Sequence, residues 1–194
     1  MRLLLVSVLL LIASFAWAQE PLVLYGKLSG SSIDIASYTS FYEDTSGDTL
    51  PISVIQTKAF RPLGEKRNER ATFSERSVMV TWLRFTLRNS HPTDTLQVLH
   101  QTIVHGLISL FENTKLIGQT GISLPPQRRV NRFALPLSVP PHGQRTFYVR
   151  VVDYIWSPSA IYSKLLSIRG SYELDYLGQG HMDMQVRILA ILSH

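Results

Sequence analysis

The run Ser77-Val78-Met79-Val80-Thr81-Trp82-Leu83-Arg84-Phe85-Thr86-Leu87-Arg88-Asn89 constrains this chain more than any other feature. Met79, Thr81, Leu83, Phe85 and Leu87 fall on one set of alternate positions, and Trp82, Arg84, Thr86 and Arg88 on the other. A period of two belongs to an extended strand, whose successive side chains leave opposite faces; a helix repeats at 3.6. A strand this long with one apolar face requires a sheet and a core on that side. Two later stretches answer it. Residues 131–139 place Phe133, Leu135, Leu137 and Val139 inward, and residues 145–153 do the same with Phe147, Val149 and Val151. The turn between them is Pro140-Pro141-His142-Gly143. Phe85, Leu87, Phe133, Leu135, Phe147 and Val149 are expected to be buried together.

The rest of the chain punctuates in the same way. Residues 21–28 read as a first strand and 33–42 as a second, although Ile33, Ile35, Tyr38 and Phe41 mix the periodicity. Residues 43–48 and 90–94 are turns, rich in Asp, Ser, Gly, Thr and Pro, which bond their own backbone or fix its dihedrals. Residues 51–60 favour a short helix through Gln56-Thr57-Lys58-Ala59, and residues 61–77 are polar and loop-like. Residues 95–105 form a strand, 106–112 continue it or begin another, 115–118 make a short one, and 160–168 hold the last. About eight strands with short turns imply an all-β, jelly-roll-like β-sandwich with one short helix near residues 50–60. No repeat of 20–50 residues is visible.

The amino terminus sets the compartment. Met1-Arg2 is positive, residues 3–15 are apolar apart from Ser7 and Ser14, and Ala16-Trp17-Ala18 places small residues at both peptidase positions. This is the layout of a secretory signal peptide over residues 1–18, leaving Gln19 as the first mature residue. The apolar run falls short of the roughly 20 residues that span a bilayer. Residues 19–172 then make one sandwich domain. Residues 173–194 form a tail whose apolar stretch 186–192 is a docking helix, an unstructured end or the start of a membrane helix. There are no cysteines. That rules out a disulfide framework or a lipid-bearing cysteine, and it suits a bacterial periplasm or outer surface.

Chemistry-bearing patterns are sparse. Net charge is +5. Arg61, Lys66, Arg67, Arg70 and Arg76 form one basic cluster, and Arg128, Arg129 and Arg132 another. They either meet anionic sugars or lipid headgroups or are solvated loops with local ion pairs. An exported chain with no aromatic-and-basic platform is not expected to bind nucleic acid. His100 and His105 point to opposite faces of a strand, so they do not converge on a metal. No G-x-S-x-G elbow occurs, and Glu43-Asp44 reads as turn chemistry. No catalytic residue, metal or cofactor is expected. The candidate ligand contacts are Trp82, Arg84, Tyr148, Arg150 and Trp156. An exposed indole beside an arginine stacks on a sugar ring while the guanidinium bonds hydroxyls or carboxylates; the competing reading packs Trp82 beneath a loop or second layer.

These residues carry a resemblance. Residues 41–60, with aromatics, acids, a Gly-bearing turn and a short helix, resemble the opening of the type 2 extracellular domain of bacterial seven-transmembrane receptors with diverse intracellular signalling modules. Trp82-Leu83-Arg84-Phe85 through Asn89 resembles that family's most recognisable strand. Residues 121–137 resemble its Gly, Pro, basic, Arg-Phe pattern, and 141–151 its Pro-Gly turn and Tyr-x-Arg-Val strand. The resemblance spans residues 35–168. It implies a jelly-roll sandwich similar to carbohydrate-binding modules, serving as a ligand-sensing ectodomain for a small molecule or carbohydrate. It further implies a membrane-embedded receptor portion as partner, with this chain expected to stand without the receptor's membrane helices and output module, and an aromatic at position 82 kept for structure. The alternative is a free secreted module that binds a glycan or a protein. A downstream reading frame with seven membrane helices and an output domain separates the two.

Overall fold

A computed structural model describes residues 19–44, 46, 50–66, 79–102, 106–129, 134–153 and 161–168. The elements run in chain order as β1 Leu22–Leu24, β2 Ser32–Asp34, β3 Thr39–Asp44, α1 Ile52–Ile55, β4 Arg61–Pro62, α2 Leu63–Lys66, β5 Met79–Asn89, β6 Leu96–Gln101, β7 Leu107–Glu112, β8 Lys115–Thr120, β9 Leu135–Val139, β10 Gln144–Asp153 and β11 Lys164–Leu166. They build two sheets. The seven-stranded sheet has the order β4-β3-β5-β10-β7-β8, with β1 added in parallel to the far end of β5; the four-stranded sheet has the order β2-β11-β6-β9. All other pairings are antiparallel.

The core lies between the sheets, as alternation requires. Leu83, Phe85 and Leu87 of β5 join Phe147, Val149 and Val151 of β10 and Ile108 and Leu110 of β7 on one side. Leu96 and Val98 of β6, Leu135, Leu137 and Val139 of β9 and Leu165 of β11 meet them from the other. Of the six side chains expected in one core, Phe85, Leu87, Leu135, Phe147 and Val149 share this cluster. Phe133 lies outside the described residues, as do residues 1–18, expected as a signal peptide, and the tail at 173–194.

Three stretches differ from the sequence reading. Residues 33–42 are not one strand: Asp34 Oδ1 accepts from the Ala36 amide at 2.9 Å and Thr39 Oγ1 donates to the Ile35 carbonyl at 2.8 Å. These local bonds offer the backbone an alternative to the ladder. They bend it through a 3-10 turn at Ala36–Tyr38, so that β2 joins the small sheet and β3 the large one. The first strand stops at Leu24, where Tyr25 and Lys27 bridge around Gly26 at φ +69°. Residues 61–66, expected as loop, pair Arg61–Pro62 with β3 and then form the single turn α2, whose Leu63 is fully buried.

Two residues lock the ends of the sandwich. The buried Asn89 side chain donates to the carbonyls of Asp94, Val139 and Pro140 and accepts from the amides of Gly26 and His91. One amide group thereby joins the end of β5 to the turns after β1, β5 and β9. Gly121 has φ +111°, and a Cβ there would sit 1.9 Å from the Gly106 carbonyl oxygen. Only glycine allows the chain leaving β8 to pass so close to the start of β7.

Candidate functional site

The inner faces of both sheets are occupied by the core, and the candidate contacts on β5 and β10 lie on the outer face of the large sheet. Register lays that face out as a grid. One row runs Ser40, Arg84, Tyr148, Phe111 and Leu116; the next runs Tyr42, Trp82, Arg150, Ser109 and Gln119. Strand neighbourhood therefore brings Trp82, Arg84, Tyr148 and Arg150 together: Trp82 faces Arg150 and Arg84 faces Tyr148 across β5 and β10.

They do not form an open aromatic surface. Trp82 is 1% exposed and Tyr148 7%. Both belong to a second apolar cluster with Ile55 and Phe60, packed further by Tyr42, Leu50, Ile52, Val80 and Phe111. Residues 50–60 lie over this part of the sheet as a cap. Pro51 starts α1 without a side-chain hydrogen bond, and four helical residues are too few to be stable alone. The apolar side chains of the cap hold it by burial against the aromatic rows beneath. The expectation that Trp82 and Tyr148 stand exposed for a sugar ring is corrected by this cap, and Trp82 follows its competing reading. Ring contacts continue the packing: Trp82 to Phe111 at 5.6 Å and Phe60 to Tyr148 at 6.1 Å between centroids. The Trp82 Nε1 group is buried without a hydrogen-bond partner.

The arginines are placed differently. The Arg84 guanidinium lies 4.4 Å from the Phe60 ring centroid, stacked on the edge of the cap and only partly covered. Arg150 is also partly buried. Trp156, with Tyr154, lies outside the described residues. Beyond the cap the same face is open. Thr86 and Thr146 share a 3.0 Å hydroxyl contact, and Arg88, Gln144 and Val23 are exposed beside them. The sequence reading placed Arg88 on the outward face but not among the candidate contacts. Its exposure depends on where the cap ends, which no local pattern signals.

His100 and His91 serve structure. His100 lies between the sheets, its ring stacked on Phe85 with centroids 4.9 Å apart and its Nε2 2.9 Å from Ser163 Oγ. Burial lowers its pKa from 6.5 to about 3, so it is neutral at ordinary pH. His91 accepts the Thr93 and Asp94 amides at Nδ1 and fixes the turn after β5. Its ring meets Tyr25 edge-on at 4.5 Å. Among the described residues no group of three or more His, Asp or Glu side chains is placed to hold a metal. No helix among them is long and apolar enough to cross a membrane.

The fold is a two-sheet β-sandwich whose inner surfaces are filled by apolar side chains and whose large sheet carries Arg84, Arg88 and Arg150 on its outer face. The chain belongs to the 7TMR-DISM extracellular 2 family, whose model matches residues 36–155. That is a family of receptor extracellular domains, which indicates a location outside the cytoplasm. No curated protein matches. Among solved structures, the GH31 alpha-xylosidase from Xanthomonas citri is similar at 10% identity and a TM-score of 0.36. The match covers 66% of this chain and 15% of that enzyme's.

Proposed function

We propose that this chain is the ligand-sensing domain of a membrane signalling receptor, exported by the signal peptide at residues 1–18 to the periplasm or outer surface. Its folded domain spans residues 19–172. The membrane-embedded portion of the receptor is its partner. The ligand is a carbohydrate or another small molecule, bound and not turned over. The observation that carries this reading is the division of labour between the faces. Apolar side chains fill the inner ones, whereas arginines, paired threonine hydroxyls and a capped aromatic floor gather on the outer face of the large sheet. Arg84 and Arg150 supply forked donors suited to hydroxyls and carboxylates. Trp82 and Tyr148 support them from beneath the cap, and Trp156 completes the candidate set.

The test is a binding screen of the exported protein against a glycan array and a panel of small metabolites. A hit that protects the melting transition in proportion to its concentration is the expected outcome, since a ligand specific to the native state stabilises it by mass action. A protein that binds nothing on either panel is not a sensor of this kind.

A further inference from the structure

One strip of the outer face carries two arginines that no acidic side chain among the described residues pairs with. Arg84 and Arg88 project from the same side of β5, with Thr86 between them. The positions that register sets beside them are Ser40 and Tyr148 for Arg84, Thr146 for Thr86, and Gln144 and Val23 for Arg88. None is acidic. Neither arginine takes part in the ion pair of Arg145 with Glu112 or in the contact of His91 with Asp94. Arg84 is moreover held in place: its guanidinium rests on the Phe60 ring, which leaves the edge donors of the fork free to bond outward. Two such groups four residues apart on a strand stand about 13 Å from one another. That is too far for one small anion to bridge. Between them lies the hydroxyl pair of Thr86 and Thr146, which both gives and accepts hydrogen bonds.

From this we infer that the strip Arg84–Thr86–Arg88 binds an extended anionic saccharide. Its carboxylates would sit on separate sugar units along the strand, and its hydroxyls over the threonine pair. The inference rests on the ligand-binding reading above and narrows its ligand. A neutral sugar leaves two unpaired guanidiniums unused. A monovalent acid engages one, whereas a chain engages both, the second at the high effective concentration that linkage confers.

The experiment uses the full exported chain and isothermal titration with oligogalacturonate, with uncharged malto-oligosaccharide of equal length, and with monomeric galacturonate. Oligogalacturonate is expected to bind at least about tenfold tighter than either of the others and to weaken as sodium chloride rises. Arg88→Gln, at an exposed position, is expected to weaken that binding about tenfold with the melting temperature unchanged, and Arg84→Gln with Arg88→Gln to abolish it. Equal affinity for the neutral chain would overturn the anionic assignment while leaving the sensor reading standing. So would oligogalacturonate binding that Arg88→Gln does not alter. Failure of oligogalacturonate to bind, with co-sedimentation on phosphatidylcholine–phosphatidylglycerol vesicles that Arg88→Gln releases, would instead make the strip a membrane-facing surface. Failure of both probes overturns the proposal; the sensor reading falls only if the broad screen is also blank.

Discussion

Phe85 and His100 stack across the two sheets, with ring planes 22° from parallel. The imidazole is completely buried, its Nδ1 has no partner, and its Nε2 meets only Ser163. A charge there faces the aliphatic core. The folded-state pKa is about 3 against 6.5 for the free side chain. The unfolded chain therefore binds the extra proton between these values, and stability rises with pH across that window. The contribution is fully present above about pH 6.5 and is lost as pH falls toward 3, at about 1.4 kcal/mol per pH unit. Chemical denaturation at a series of pH values tests this. His100→Gln, which has no titrating group, should show a shallower decline than the parent over the same range; parallel curves would refute the assignment.

Trp82 is a packing residue beneath the cap. Trp82→Ala should lower stability by about 3–5 kcal/mol, the usual range for a buried large aromatic. Equilibrium denaturation measures it, and a change below about 1 kcal/mol would mean that the cap does not rest on the indole.

Asn89 satisfies backbone groups in three turns with one side chain. Asn89→Ala leaves the buried Val139 carbonyl and several partly buried backbone groups without this partner, so a loss of about 2 kcal/mol or more is expected. Asn89→Asp keeps the shape but replaces the donating amide with an acceptor that faces carbonyls. It should be no better tolerated at neutral pH, and thermal melting of the pair reads the difference directly.

Gly121 and Gly30 should separate cleanly. Gly121→Ala meets the Gly106 carbonyl and a positive φ, and should cost more than about 2 kcal/mol. A Cβ at Gly30 meets nothing within 4 Å, so Gly30→Ala should stay within about 0.5 kcal/mol of the parent. Similar melting temperatures for the two variants would count against the close passage of β8 over β7.

Much of the fold was legible because strands with one buried face write their geometry into alternate positions. The faces of β5, β9 and β10 could be read from Leu83-x-Phe85-x-Leu87, Leu135-x-Leu137-x-Val139 and Phe147-x-Val149-x-Val151 without any knowledge of pairing. A short helix near residues 50–60 was legible as well, although the helical turn falls on Ile52–Ile55 and not on the Gln56–Ala59 stretch whose residues suggested it. The break inside residues 33–42 was hidden, because Asp34 and Thr39 act through hydrogen bonds that composition does not announce. The membership of the site was legible only in part. Alternation placed Trp82, Arg84, Tyr148 and Arg150 on outward faces, and pairing of β5 with β10 makes them neighbours.

Periodicity by itself determined which side chains face inward, and that the chain is all-β. Those are local properties, set by the two-residue repeat of an extended backbone. Only the tertiary structure decided which outward groups stay accessible. Ile55 and Phe60 lie more than twenty positions before Trp82, yet they cover it and Tyr148 and turn two aromatic candidates into a second core. Burial depends on what long-range packing lays over a face, and a strand's alternation is silent about its cover. The same cover stops short of Thr86 and Arg88, leaving Arg84 on its edge with its guanidinium propped on Phe60.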